Sequence, residues 1–455
     1  MRIPKLRLVQ RRIGVVGLYR SGKTVFLTSL INHLQNHSPD RFRLGDGSAR
    51  ITFDREMPPR NFGAFAYLQH RNQLVERHAW PVKTRSTAEY RCRFYRSDWL
   101  VSRGEWTLVD FAGERMADIL MADCSYAQWS DLLLAIFREH SEYRGLAGPY
   151  LAAMDDPATT SEALLAAYRR LLLELFLNYR PVVSPSTFLL SEDGTWLGEL
   201  PRESWPDACP AGLDELRQFA PLSPAARASR GEIARTFERH YGDYRSRLAQ
   251  PLAGWMRRCD HLVVLVDVTT LLAGGEAMYQ GNRELLRHLM ERLRPGKSWL
   301  GLSADLLTTL LAPIHQQITR VLDLTWRQIS KIAFVATKAD KVHQDDRQKL
   351  VSLLREMVEP LVAAHRERAA ALEVEYFACA AVNSTRSLAG GKLLGAADGA
   401  SEPSVFTPSA VPEQWPPSWQ HGQYAFLNVA PHVPARRDAA PDHLGLNQVV
   451  EFLMR

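Results

Sequence analysis

The sequence predicts an α/β protein built on a mostly parallel six-stranded sheet, interrupted by a large helical insertion. Three observations predict it. A β-branched run, Ile13–Val16, opens directly into Gly17-Leu18-Tyr19-Arg20-Ser21-Gly22-Lys23-Thr24, and an amphipathic helical pattern follows over Val25–Gln35. A second apolar stretch ends in an acid at Glu105-Trp-Thr-Leu-Val-Asp110. A third, Lys331–Ala336, ends in Thr337-Lys338-Ala339-Asp340. Strands that alternate with helical patterns and end in polar loops are the mark of βαβ units around a parallel sheet.

The first loop matches G-x-x-x-x-G-K-[ST] in full, in the strand–loop–helix setting that gives the pattern its physics. Gly17 and Gly22 let the backbone curl, so that the amides of Leu18, Tyr19, Arg20, Ser21, Gly22, Lys23, Thr24 and Val25 turn toward an anion. The helix start aims its positive end at the same point. Lys23 is placed to neutralise β- and γ-phosphates, and the Thr24 hydroxyl to ligate Mg²⁺. The protein is therefore read as a P-loop nucleotide-binding protein. Gly296-Lys297-Ser298 shares the ending of the motif, but Glu291 stands where the leading glycine is needed, and a helical pattern precedes it.

Asp110 opens D-x-x-G with Gly113. Its carboxylate would join the magnesium shell, and the Gly113 amide would meet the γ-phosphate, where a side chain would obstruct the approach. Tyr90–Phe94 and Trp106–Asp110 read as two strands joined by a turn over 96–104, so one strand runs antiparallel, as in the Ras-like division of P-loop proteins. Ahead of them, Trp80-Pro-Val-Lys-Thr84-Arg85-Ser-Thr87 is the place for a first switch loop. Thr84 is chosen as its magnesium ligand and Thr87 kept as the alternative, with Trp80 and Arg85 beside the nucleotide.

Thr337-Lys338-Ala339-Asp340-Lys341 resembles the N-K-x-D element, with Thr337 in place of asparagine. Asp340 would accept from guanine N1–H and its 2-amino group, donors that adenine does not offer together; adenine would leave a buried carboxylate unpaired. The Lys338 stem would cover the base face. The strand Glu373–Cys379 leads to Ala380-Ala381-Val382, placed to touch the guanine oxygen through its backbone. His261–Asp267 completes six strands.

Between and after these strands lie residues that a nucleotide domain does not require. The chain is expected to divide into a nucleotide-binding part over 1–114, a helical insertion over 115–258, a second nucleotide-binding part over 259–385 and a loop-rich segment over 386–455 that packs on the core. Leu164, Leu165, Tyr168, Leu171, Leu172, Leu175 and Phe176 make one helical stripe, Ser229–Met256 reads as another amphipathic stretch, and Leu302, Leu306, Leu307, Leu310, Leu311 and Ile314 mark a helical excursion over 275–330. A short helix, Leu446–Met454, closes the chain. His33 and His37 share a helix face at metal-like spacing, but a solvated pair is the plainer reading.

A chain of 455 residues, 46% hydrophobic and 23% charged, is expected to fold into two or three packed units rather than remain disordered. A net charge of +6 spread over such a surface carries no nucleic-acid signature. Five scattered cysteines without a C-x-x-C pair exclude a disulfide frame or a zinc finger. No apolar run reaches the length of a membrane span, and Arg2, Lys5, Arg7, Arg11 and Arg12 interrupt any signal-like segment, so neither anchor nor leader is expected.

G-L-Y-R-S-G-K-T, W-P-x-x-T-R, D-F-A-G-E and T-K-A-D, in this order and with the helical insertion, resemble the bacterial YcjX-like family of stress-associated P-loop GTPases along nearly the whole chain. The resemblance implies a cytoplasmic protein, peripheral to the inner membrane at most, that hydrolyses GTP with Mg²⁺ as a slow conformational switch and works with an unidentified protein effector. In the water-positioning place after D-x-x-G stands Glu114, a carboxylate able to orient the attacking water but repelled by the γ-phosphate, which implies slow turnover. A guanine-nucleotide-binding scaffold with negligible hydrolysis is the alternative that Glu114 keeps open.

Overall fold

The computed structural model describes residues 7–17, 21–81, 86–99, 102–139, 141–177, 218–292, 329–366, 372–400, 402–434 and 439–455. Its centre is an eight-stranded sheet. The strands are β1 (Arg7–Gly17), β2 (Ile51–Met57), β3 (Gly63–Ala64), β4 (Ala88–Arg96), β5 (Ser102–Asp110), β6 (His261–Val266), β7 (Lys331–Thr337) and β8 (Glu373–Cys379). They lie in the order β2-β4-β5-β1-β6-β7-β8, with β3 beside β4. β5, β1, β6, β7 and β8 pair in parallel, whereas β4 is antiparallel to both β5 and β2. The six expected strands are thus present with one antiparallel member. β2 and β3 were not foreseen: only Ile51 of β2 is buried, and the strand carries charge along half its length. What makes it a strand is its pairing with β4 at the sheet edge.

The β4–β5 hairpin is longer than the expected turn over 96–104 allows. Gly104 sits inside β5, opposite Phe94. A Cβ there would come 2.6 Å from the Phe94 ring, so the glycine gives the ring its place on the sheet and does not make the turn.

Every residue of β6 is buried, and its alternation sorts the core into two layers. Val263 and Leu265 join Ile13, Val15, Ala333 and Val335 against α1 (Lys23–Gln35) and the closing helix Leu446–Met454. Leu262, Val264 and Val266 join Ile332, Phe334 and Ala336 on the opposite face. That second layer is continuous with the helices between β5 and β6. These are a 3₁₀ segment (Gly113–Met121), α3 (Tyr126–Glu139), α4 (Ser141–Asp155), α5 (Ser161–Leu177) and a run over 224–257, with α2 (Tyr67–Arg77) lying earlier in the chain between β3 and β4.

On α5, Leu164, Tyr168, Leu171, Leu172 and Leu175 of the expected stripe are buried and Leu165 half-buried, while the Phe176 side chain lies outside the described residues. The stretch read as one helix over 229–256 is broken by a π turn at Arg245–Ala249, just before Pro251, which has no N–H to continue an α-helical ladder. The stripe over 302–314 lies outside the described residues. Cys92, Cys124, Cys259 and Cys379 are buried free thiols.

Two expectations need correction. His33 is not solvated: it is buried, stacks on Phe42 and bonds to the Pro441 carbonyl oxygen, and burial chiefly lowers its pKa to about 3. The segment read as loop-rich after Ser384 contains a three-stranded antiparallel sheet, β9 (Arg386–Leu388), β10 (Lys392–Ala396) and β11 (Pro403–Phe406). Farther along, Trp415 and Trp419 pack on Tyr279 and donate their indole N–H groups to the Leu353 and Leu272 carbonyls. The tail is thereby fastened across the core.

Candidate functional site

The parallel strands all end on one side of the sheet, where α/β folds bind ligands. Five of those ends carry Gly17 (β1), Asp110 (β5), Asp267 just past β6, Thr337 (β7) and Cys379 (β8). Above them opens a cavity of about 370 Å³, a volume suited to a small ligand. Its wall holds Ser21, Gly22, Lys23, Thr24 and Val25 at one end and Thr337, Lys338, Asp340, Lys341, Ala380, Ala381 and Val382 at the other, with Trp80 alongside. The structure therefore brings the predicted phosphate and base residues into one space.

At the phosphate end, Gly22 has φ +84, the left-handed conformation that favours glycine, and precedes the first turn of α1. The Lys23 ammonium donates to the Gly17 carbonyl at 3.1 Å. Gly113 lies against the same ammonium: a Cβ there would stand 2.5 Å from Lys23 Nζ and 2.9 Å from the Gly17 oxygen. No side chain fits there unless Lys23 and Gly17 shift. Asp110 is fully buried at the end of β5, adjoining this corner rather than lining the cavity wall. Ser21 is buried with its hydroxyl unbonded inside the loop. One buried carboxylate and the Thr24 hydroxyl are hard oxygen donors, the kind Mg²⁺ takes alongside phosphate oxygens and water. Leu18, Tyr19, Arg20, Thr84 and Arg85 lie outside the described residues, as does the Glu114 side chain; the Glu114 backbone is the second residue of the 3₁₀ segment.

At the base end, Asp340 is 4% exposed, and one of its carboxylate oxygens accepts from the Ser384 amide at 3.0 Å. Burial pushes its carboxyl above the ordinary carboxylate value, against the opposing pull of that amide and of the Lys341 and Arg347 charges. Thr337 is buried with its hydroxyl unbonded. The Ser29 hydroxyl of α1 donates to the Ala381 carbonyl at 2.5 Å, tying the phosphate helix to the loop after β8. Trp80 reaches the cavity, but its indole N–H donates to the Val429 carbonyl at 2.8 Å, so its ring is fixed by the tail.

Two features were not read from the sequence. Asp267 caps the helix after β6, accepting from the Thr270 amide and from both threonine hydroxyls, and holds Lys338 Nζ at 2.6 Å. Burial would raise its carboxyl, but the Lys338 and Lys341 charges with these hydrogen bonds hold it far below the ordinary range. Asp-Val-Thr-Thr after a β-branched strand is an N-cap signal that pointed there. Second, Asp398, Asn428 and Val429 of the tail complete the wall beside the base residues. No local pattern foretells this, because the contact spans about sixty to ninety residues, for example from Lys341 to Asn428.

Comparison with known proteins agrees with this geometry. Residues 11–455 match the YcjX-like family, DUF463. The chain belongs to that family. Among its curated relatives is the Ras-like GTPase YcjX of Escherichia coli (strain K12), 26% identical over 97% of this chain and 95% of its own length. The Ras-like GTPase YcjX of Shewanella oneidensis is 25% identical over 97% of this chain and 93% of its own length. A Ras-like P-loop fold suits the YcjX-like chain's strand order, with β4-β5-β1-β6-β7-β8 at its centre.

Proposed function

We propose that this YcjX-like chain binds guanine nucleotide with Mg²⁺ and hydrolyses GTP to GDP and phosphate as a slow conformational switch. One observation carries the reading: a single cavity has the Lys23–Thr24 helix start at one end and the buried Asp340 carboxylate at the other. The names of the bacterial relatives support it. The stress-response role, the unidentified effector and a cytoplasmic place peripheral to the inner membrane rest on the motif resemblance alone.

In this reading the amides of 17–25 cradle the phosphates, and Lys23 exchanges the Gly17 carbonyl for β- and γ-phosphate oxygens. The same ammonium lies against Gly113, so its movement is felt at once by the 3₁₀ segment that Gly113 opens. Thr24, Asp110 and Thr84 would hold Mg²⁺, which neutralises charge on the transferring phosphoryl group. Glu114 orients the attacking water. Thr337, Lys338, Asp340, Lys341 and the backbone of Ala380, Ala381 and Val382 receive the base. The helical insertion over 115–258 begins within the 3₁₀ segment and serves as the part the switch moves.

Single-turnover assays with GTP and ATP test the reading. GTP-selective cleavage, reduced about a hundredfold or more in Glu114→Ala with GDP affinity kept, is the expected result. Cleavage untouched by Glu114→Ala removes that residue from the mechanism. Tight GDP binding without turnover leaves a guanine-nucleotide scaffold, and equal use of ATP overturns the guanine assignment.

A further inference from the structure

At the base end of the cavity the two lysine ammonium groups are already engaged, Lys338 by Asp267 and Lys341 by Asn428. Guanine presents two donors, N1–H and the 2-amino group, and two acceptors, O6 and N7. Asp340 answers the donors. A side-chain amide in the place of Thr337 would answer an acceptor, but a threonine stands there, buried, with its hydroxyl bonded to nothing among the described residues.

An amide stands instead on the opposite wall. Asn428 lines the cavity, and its carbonyl oxygen Oδ1 accepts from Lys341 Nζ at 2.6 Å. Because an ammonium has only donors, this contact decides which end of the carboxamide is which. The oxygen is spent on Lys341, and the NH₂ group is the end left for a ligand. Lys341 is itself buried beside Asp340; burial lowers its pKa, against the opposing pull of the Asp267, Asp340 and Asp398 charges. The turn bearing Asn428 is fixed too. Its carbonyl accepts from the Asp398 amide at 2.8 Å, Val429 bridges to Ala397, and Trp80 is bonded to the Val429 carbonyl.

We infer that Asn428, delivered by the C-terminal tail, is a specificity-determining residue that donates its side-chain amide to the acceptor edge of guanine. The inference rests on the guanine reading proposed above. It assigns the tail a part in base selection: adenine turns a 6-amino donor toward the same edge and would meet the Asn428 NH₂ donor to donor. Asp340 and Asn428 together read both the donor and the acceptor halves of the base.

Asn428→Asp tests this cleanly. The substitution keeps the shape and the acceptor for Lys341, so the turn stays anchored, while the donor NH₂ gives way to an acceptor oxygen and a negative charge beside Lys341. Binding of Mg²⁺-GDP, Mg²⁺-IDP, Mg²⁺-ADP and the diphosphate of 2,6-diaminopurine riboside is measured by titration on the full chain, with the melting temperature as a check on folding. The expected result is a loss of about tenfold or more for GDP and IDP, with ADP and the diaminopurine nucleotide unchanged or tighter. IDP separates this edge from the 2-amino group that Asp340 reads. A GDP-to-ADP ratio within about twofold of the unsubstituted chain overturns the role of Asn428 while leaving the guanine reading standing. An unsubstituted chain that binds GDP and ADP equally overturns the guanine reading itself. Equal weakening of all four nucleotides in a folded Asn428→Asp chain reduces Asn428 to a strut for the cavity wall and refutes base selection.

Discussion

Asp267 shows how a residue outside the cavity governs one inside it. Lys338 is a non-glycine residue with φ +57, a conformation L side chains seldom adopt. It is held there in part because its ammonium reaches back to Asp267 at the end of the neighbouring strand, 2.6 Å away. The stem between lines the cavity and is held at its far end rather than free to rotate. Asp267→Asn keeps a competent helix cap and removes the charge that anchors the lysine. The expected outcome is a GDP affinity about tenfold lower with little change in melting temperature, measured by fluorescent nucleotide titration. Affinity unchanged to within twofold would show that Lys338 needs no anchor. The motif around Lys338 was legible because its residue types are those the proposed guanine reading requires. Its anchor was less legible, since an aspartate at a strand end reads equally well as a plain helix cap.

Elements were legible where burial on both faces demanded unbroken apolar runs, as in β6 and β7, or one clear stripe, as in α5. They were not legible where pairing alone makes the strand. β2 carries Asp54, Arg55 and Glu56 and exists because β4 offers it an edge; β9, β10 and β11 exist because they offer edges to one another. The 3₁₀ segment Gly113–Met121 is the element on which the switch reading depends. It is bound to the helix Gly231–Tyr244 by a buried triad. Arg115 donates to the Tyr244 hydroxyl at 2.8 Å and to Asp118 at 3.3 Å, and Tyr244 donates to Asp118 at 2.9 Å. The π turn begins at the next residue, Arg245. Tyr244→Phe leaves the ring in place and withdraws one hydroxyl from two buried charges, so unfolding by denaturant is expected to show a loss of about 1–3 kcal/mol. A loss below about 0.5 kcal/mol would mean that Arg115 and Asp118 satisfy each other and that this joint is slack.

At the scale of the molecule, the long excursion between Gly113 and β6 does not hang from the sheet as a separate bead. Val109, Phe111 and Val264 belong to the same buried cluster as Leu133, Tyr150, Tyr168 and Tyr244, so the helices and the sheet share a core. The tail joins both layers: Trp415 and Trp419 belong to that same cluster, whereas the helix Leu446–Met454 packs on the opposite face, where the Phe452 carbonyl accepts from Lys331 at 3.1 Å. Sequence periodicity showed that each part would be helical or extended; it carried no information on which distant part would wall the cavity, because such contacts leave no local period. The central claim is that one cavity reads guanine through Asp340. Calorimetric titration of the unsubstituted chain and of Asp340→Asn with Mg²⁺-GDP, Mg²⁺-ADP and Mg²⁺-XDP tests it most directly, since xanthine carries a carbonyl where guanine carries its 2-amino group. The account predicts that the unsubstituted chain prefers GDP by about a hundredfold or more and that Asp340→Asn loses GDP and gains XDP. Equal affinity for GDP and ADP in the unsubstituted chain, or GDP binding unchanged by Asp340→Asn, would contradict it.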